Sequence, residues 1–302
     1  MDNKKVVIVG TGNVGMAYAY ALLNQKTGTD EMVLVDINTD KTEGEATDLR
    51  DGLGFTPGNL KMRAGTYADC GDADIVAITA GARQAEGETR VDLLRKNAAI
   101  FEPMIAEIVK SGFKGIFLVV SNPMDVLTYL VWKYSGFPQE RVIGSGTLLD
   151  SSRLRYAVGH LLDVNPKSVH GYVLGEHGDS EFVAWDSMAV GLKPVKSEFD
   201  AGQREEIEER VRDTAYRIIE KKGYTCWGIG ACLAYITEVI FTNAKTVIPV
   251  SNWDPYANVY YGYPCVVGRK GVMQRMEVKL SADEQKKLDA SIAVLKEAIT
   301  SI

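Results

Sequence analysis

The sequence predicts an α/β protein: a doubly wound parallel sheet in residues 1–144, followed by an α+β substrate-binding half in residues 145–302. Three observations carry this expectation. Short apolar runs alternate with helical stretches through the first half, a glycine-rich turn follows the first apolar run, and the alternation gives way beyond residue 145.

The strand candidates are KVVIVG (5–10), EMVLVD (31–36), LKMRAG (60–65), ADIVAITA (73–80), GIFLVV (115–120) and RVIGSG (141–146). Helical patterns between them include 14–25 and 97–112. Strand, helix and strand at this spacing imply parallel pairing with helices on both faces. Near-continuous apolar strands fit burial on both sides. In the second half, a helix is expected from Leu148 towards Leu162, followed by shorter β-like pieces. A longer amphipathic helix covers 201–222, with Ile207, Val211, Ala215, Ile218 and Ile219 on one stripe. Residues 264–280 read as a hairpin turning at Gly268 to Gly271. The last helix opens at SADE, where Ser281 and Glu284 have capping-box spacing, and it buries Leu288, Ile292, Leu295 and Ile299.

Composition narrows the function. The chain has 302 residues, 46% apolar and 25% charged, enough for a large core and two domains. A net charge of −6 without long charged runs argues against nucleic acid or an anionic membrane as partner. No apolar run reaches membrane-spanning length. The start, MDNKKVVIVG, enters a strand at once, so no signal peptide and a cytoplasmic location are expected. Cys70, Cys226, Cys232 and Cys265 lack CxxC spacing and only three histidines accompany them. Buried reduced thiols are expected, with no metal site.

The turn GTGNVG (10–15) follows the first strand and opens the first helix. Gly10 permits the tight turn, Gly12 lets a pyrophosphate approach the backbone, and Gly15 lets helix and sheet pack closely. The helix N-terminus offers N–H groups and a positive dipole end to phosphates. Asp36 ends the second strand 21 residues after Gly15. A carboxylate there accepts from both ribose hydroxyls and repels a 2′-phosphate, which favours NAD over NADP. The first half thus reads as a Rossmann domain.

Three stretches carry candidate chemistry. In GTLLDSSRLR (146–155), Asp150 and Arg153 share one helix face. In LGEHGDSEF (174–182), His177 sits among glycines and acids, and GARQAEGETR (81–90) brings Arg83, Gln84 and Arg90. Reducing a 2-oxo acid requires a proton donor, a carboxylate that keeps that donor charged, a cation polarising the carbonyl and a cation holding the substrate carboxylate. His177, Asp150, Arg90 and Arg153 would supply these in that order. Asp150 should raise the pKa of His177.

In order and spacing, VVIVGTGNVG, VDI, ITAGARQAEGETR, VVSNPMDVLTY, GSGTLLDSSRLR, VHGYVLGEHGDS and KGYTCWGIG resemble the NAD-dependent L-lactate dehydrogenases, within the lactate/malate dehydrogenase superfamily. The resemblance implies that His177 is the proton donor and acceptor, Asp150 its carboxylate partner and Arg153 the carboxylate-binding arginine. It implies that Arg90 closes over the carbonyl, that Asn122 touches both substrate and nicotinamide, and that Thr225 forms the far wall. Gly10, Gly12, Val14, Gly15, Asp36, Lys41, Tyr67, Gly81, Ala82, Asn122 and Ser145 match cofactor-contacting positions. Arg83 is read as helping loop closure.

Gln84 occupies the position where malate dehydrogenases of this superfamily place an arginine for a second substrate carboxylate. An uncharged side chain there favours pyruvate over oxaloacetate. The reaction implied is reversible reduction of pyruvate to L-lactate, which regenerates NAD in glycolysis and fermentation. The alternatives are a malate or broad L-2-hydroxy-acid (2-hydroxyisocaproate-like) dehydrogenase and a non-catalytic NAD sensor. A sensor would have no use for Asp150, Arg153, His177 and Arg90 together. Arg155 and His170 match positions that bind fructose 1,6-bisphosphate between subunits, which implies an allosteric enzyme. The short N-terminus resembles the bacterial type, and the family expectation is a homotetramer, with a dimer as the alternative.

Overall fold

The computed structural model describes residues 4–82, 87 and 89–302, with the backbone alone at Arg90. Six parallel strands appear where the apolar runs lie: β1 (Lys5–Val9), β2 (Glu31–Val35), β3 (Lys61–Ala64), β4 (Ile75–Ile78), β5 (Ile116–Val119) and β6 (Val142–Gly144). Their spatial order is β6, β5, β4, β1, β2, β3. The chain therefore starts at the centre, winds to one edge and returns to wind to the other, reversing between β1 and β4. Val7 faces Val33 on one side and Val76 on the other. The apolar residues of β1 are buried whichever face they point to.

The helices are α1 (Asn13–Asn24), α2 (Thr39–Asp51), α3 (Arg90–Lys110), α4 (Met124–Ser135), α5 (Leu148–Leu161), α6 (Ala201–Lys222), α7 (Trp227–Phe241) and α8 (Ala282–Thr300). Val6 and Ile8 pack towards Tyr18 and Leu22 of α1 and Leu233 and Ile236 of α7. Val7 and Val9 pack towards Phe101 and Ile105 of α3, Leu127 of α4, and Leu288 and Leu295 of α8. Both faces of the sheet are thus closed partly by helices from beyond residue 145. The sheet itself continues past β6 into antiparallel strands Ser251–Asp254 and Val259–Gly262, joined where Ser251 pairs with Gly144. A separate core beneath α5 and α6 gathers Leu154, Val158, Ile207 and Val211.

The 201–222 helix has the expected bounds, and the hairpin forms from Cys265–Gly268 and Gly271–Arg275. In α6 only Ile207 and Val211 of the expected stripe are buried, and Ile219 is exposed. Ser281 and Glu284 form the capping box of α8, which buries Leu288 and Leu295 and leaves Ile292 and Ile299 partly covered. Two further features differ from the sequence expectation. Helix α3 starts at Arg90 rather than 97, because Thr89 and Asp92 form a capping box there. Helix α7 is apolar on nearly every face, so it shows no amphipathic stripe, yet it packs along α1. All four cysteines are buried and unpaired, and burial pushes the thiols of Cys70, Cys232 and Cys265 up to about 12. Among the described residues, no helix is long and apolar enough to cross a membrane.

Candidate active site

The site lies at the carboxyl ends of the parallel strands, where open α/β sheets bind ligands. Gly10 leaves β1 with a φ of 106°, a left-handed conformation that glycine adopts without strain. A Cβ on Gly15 would collide with the Gly10 carbonyl and sit 2.7 Å from Thr79 Oγ1, so this glycine is needed for close packing. Gly12 is different. Nothing lies within 4 Å of its Cβ direction, so packing within the protein does not demand a glycine there. The open space above it is what close approach of a pyrophosphate requires. Helix α1 also lacks a side-chain cap at its start, which leaves backbone donors for an anion.

Asp36 stands at the end of β2, where its Oδ2 accepts the Thr11 N–H at 2.7 Å and its Oδ1 accepts the Asn38 N–H at 3.1 Å. Burial pushes the carboxyl up, but the Thr11 and Asn38 hydrogen bonds and the Lys41 charge outweigh it, and the group stays ionised below the usual range. Lys41 donates to the Thr11 carbonyl at 2.5 Å. Tyr67 is partly buried after β3. Gly81 and Ala82 follow β4, and the Ala82 N–H donates to Asn97 Oδ1 at 2.7 Å. These residues fit a dinucleotide stretched along the strand ends.

Next to them lies a cavity of about 310 Å3 lined by Val14, Asn122, Ser145, Arg153, His177 and Thr225, among others. Asp150 closes its floor. One carboxylate oxygen takes His177 Nδ1 at 2.7 Å and the other takes an Arg153 N–H at 2.7 Å, with the Asp150 side chain only 2% exposed. The imidazole is pushed up to about 10, first by the Asp150 carboxylate, and burial opposes the shift without cancelling it. For Asp150, burial favours the neutral form, but the His177 and Arg153 charges hold the carboxyl below its ordinary range. Nδ1 is occupied by Asp150, which leaves Nε2 as the nitrogen that can serve a reactant.

A 780 Å3 cleft also opens near Lys4, Asp30, Asp74, Lys114 and Arg141. Those residues precede or begin the strands, at the edge opposite the one that open α/β sheets use for ligands.

The structure brings Asp150, Arg153, His177, Asn122 and Thr225 to one cavity, with Val14 and Ser145 on its cofactor side. Gln84 and Arg83 lie outside the described residues, and for Arg90 only the backbone, at the first position of α3, is described. Arg155 and His170 lie away from the cavity. Arg155 donates to the Gly171 carbonyl at 3.2 Å and its guanidinium lies 5.3 Å from the Tyr172 ring centre.

Sequence reasoning passed over several residues that the tertiary structure brings to the site. Fully buried Asn97 accepts from Ala82 and donates to the Asn122 carbonyl at 3.0 Å. Asp125, in the quoted SNPMD stretch, accepts the His177 N–H at 2.7 Å. Glu181 lies close enough to Asp150 and His177 for their ligand atoms to fall within 4.8 Å of one another. Burial, then the Asp150 charge, raises Glu181 well above the usual carboxylate range. The Arg153 guanidinium on the same Asp150 carboxylate disfavours a cation among these three. Their side-chain types gave a signal, but only folding put them together.

A dinucleotide turn, an acid at the second strand end and a carboxylate shared by histidine and arginine define a class, the NAD-dependent oxidoreductases. Residues 4–144 match the lactate/malate dehydrogenase NAD-binding domain and residues 147–302 match the α/β C-terminal domain of the same family. The chain belongs to the lactate/malate dehydrogenase family. It is 46% identical to the L-lactate dehydrogenase of Halalkalibacterium halodurans, over 99% of this chain and 97% of that protein. Among solved structures, it resembles a lactate dehydrogenase from a Medee basin deep-sea metagenome library with a TM-score of 0.97 and 46% identity, covering 100% of this chain and 99% of that one. It also resembles the minor L-lactate dehydrogenase of Enterococcus mundtii in its ligand-bound form, at a TM-score of 0.95 and 41% identity, over 100% and 99% of the two chains.

Proposed function

We propose that this protein is an L-lactate dehydrogenase that reduces pyruvate to L-lactate and runs the reaction in reverse. The observation that carries the reading is Asp150 bridging His177 and Arg153 on the wall of a single cavity. NADH, when bound along the strand ends, supplies the hydride.

Arg153 holds the substrate carboxylate and aims the carbonyl towards His177. His177, kept protonated by Asp150, gives its Nε2 proton to the carbonyl oxygen as that oxygen gains negative charge. In lactate oxidation the neutral imidazole takes the hydroxyl proton back. Asn122 and Thr225 bound the substrate, and Arg90 polarises the carbonyl from the start of α3. Gln84 selects a methyl group over a second carboxylate. Gly87 has a φ of 79°, a left-handed conformation that favours glycine. The proposed domain division stays at 144/145.

The setting follows from the same reading. The enzyme regenerates NAD for glycolysis and fermentation in the cytoplasm and assembles as a homotetramer. Exposed Tyr20 on α1 and Trp227 and Tyr235 on α7 supply apolar surface for a neighbouring subunit. Fructose 1,6-bisphosphate acts at Arg155 and His170. The Arg155 hydrogen bond to Gly171, next in sequence to His170, supports this pairing.

Oxidation of NADH with pyruvate, oxaloacetate and 2-oxoisocaproate, with and without fructose 1,6-bisphosphate, tests the substrate and the effector. Pyruvate should give the highest kcat/KM, and the bisphosphate should lower its half-saturation. A preference for oxaloacetate overturns the substrate, and an unchanged pyruvate curve at several pH values overturns the effector.

A further inference from the structure

We propose that Asp125 is a positioning residue: its buried carboxylate ties the His177 backbone to the first turn of α4 and thereby sets the spacing between the proton donor and Asn122. The inference rests on His177 acting as that donor.

His177 lies in a loop without regular secondary structure, between Gly175 and Gly178. Successive backbone donors of this loop are held by different elements. The Gly175 N–H goes to the Gly262 carbonyl at 3.0 Å, that of Glu176 to Ser291 Oγ at 2.8 Å, and that of His177 to Asp125 Oδ2 at 2.7 Å. The last of these bonds is made at the catalytic residue itself. Asp125 sits in the first turn of α4, three residues after Asn122, which precedes the Pro123 cap and lines the substrate cavity, so the anchor of His177 and a wall of that cavity meet at the start of one helix.

The other carboxylate oxygen accepts from Ser251 Oγ at 2.5 Å. Ser251 is fully buried and pairs with Gly144, the residue before Ser145 of the cofactor side. Asp125 therefore joins three separate walls of the site while being only 2% exposed itself. Asp150 orients the imidazole ring, whereas Asp125 places the backbone that carries it. Burial pushes the Asp125 carboxyl up to about 7, and the hydrogen bonds from Ser251 and His177 oppose that shift.

The test compares Asp125→Ala, Asp125→Asn and Asp125→Glu with the wild type and His177→Gln, using kcat for pyruvate, the isotope effect with C4-deuterated NADH, and NADH binding by fluorescence. A displacement of about 1 Å costs about 100-fold, and that loss in kcat is expected for Asp125→Ala. The isotope effect should rise as hydride transfer becomes limiting, and the loss in kcat should exceed any loss in NADH affinity, since the bond to the His177 backbone lies on the substrate side. Asp125→Asn keeps an acceptor for the His177 N–H and should recover kcat to within about tenfold, because position rather than charge is the requirement.

If the alanine variant does not fold, Asp125→Glu carries the test. It keeps the charge, is one methylene longer and should lower kcat with a raised isotope effect. Unchanged kcat and isotope effect in a folded Ala or Glu variant overturn the proposal, as does an Asn variant as impaired as Ala. Full activity in His177→Gln would overturn the assignment of the donor instead, which keeps the two failures apart.

Discussion

His177 Nδ1 and Asp150 Oδ2 lie 2.7 Å apart, and the same carboxylate reaches Arg153 with its second oxygen. One buried negative charge thus serves both the proton donor and the residue that holds the substrate. Replacing it with an amide removes the main cause of the raised imidazole pKa.

In Asp150→Asn the alkaline limb of pyruvate reduction should therefore move to lower pH, and kcat/KM should fall by about 100-fold or more. Linkage gives a second readout. The imidazole pKa is raised on folding, so its stabilising contribution is complete below 6.5 and is lost as pH rises through about 10. The Asp150 pKa is depressed, so its contribution is present above 3.8 and lost as pH falls through its lower folded value. The difference in Tm between wild type and Asp150→Asn should shrink from pH 6.5 to pH 10. A constant difference would contradict the linkage.

Asp36→Ala removes the carboxylate at the end of β2. The KM for NADH should rise by about tenfold, the equivalent of about 1.4 kcal/mol, while NADPH becomes a usable substrate. Continued exclusion of NADPH would show that another group rejects the 2′-phosphate.

Helix α7 approaches α1 through Gly230, where an added Cβ would lie 2.7 Å from the backbone carbon and oxygen of Ala17. Both neighbours are backbone atoms and cannot rotate away. Gly230→Ala should lower stability by about 1–3 kcal/mol in urea unfolding, and NADH affinity should fall with it because α1 carries the dinucleotide turn. Unaltered stability would mean that the helices separate at little cost.

Gln84→Arg should shift preference from pyruvate towards oxaloacetate, since the new guanidinium pairs with the second carboxylate. The ratio of the two kcat/KM values measures it, and a retained preference for pyruvate would place specificity elsewhere.

The nucleotide-binding half was legible in the sequence because its signals are local. Continuous apolar strands, a glycine turn and an acid at a strand end each report their role within a few residues. All six parallel strands fall within their apolar runs, and α6 spans the expected 201–222. The misses are of another kind. Helix α7 is apolar on its exposed face, at Trp227 and Tyr235, as well as on its buried one, so periodicity could not reveal it, and strand 251–254 acquires its place only by pairing with β6, with 259–262 pairing on it in turn.

The residue types at the site and the class of chemistry they can perform were set by motif and spacing. Which of them share a charge or a hydrogen bond was decided by tertiary structure. Asp150 and Arg153 are three residues apart, and helical geometry alone brings them together. Asp125 and His177 are 52 residues apart. Nothing in either local sequence specifies their contact, because it exists only once α4, the 175–181 loop and the Ser251 strand have packed around one buried carboxylate.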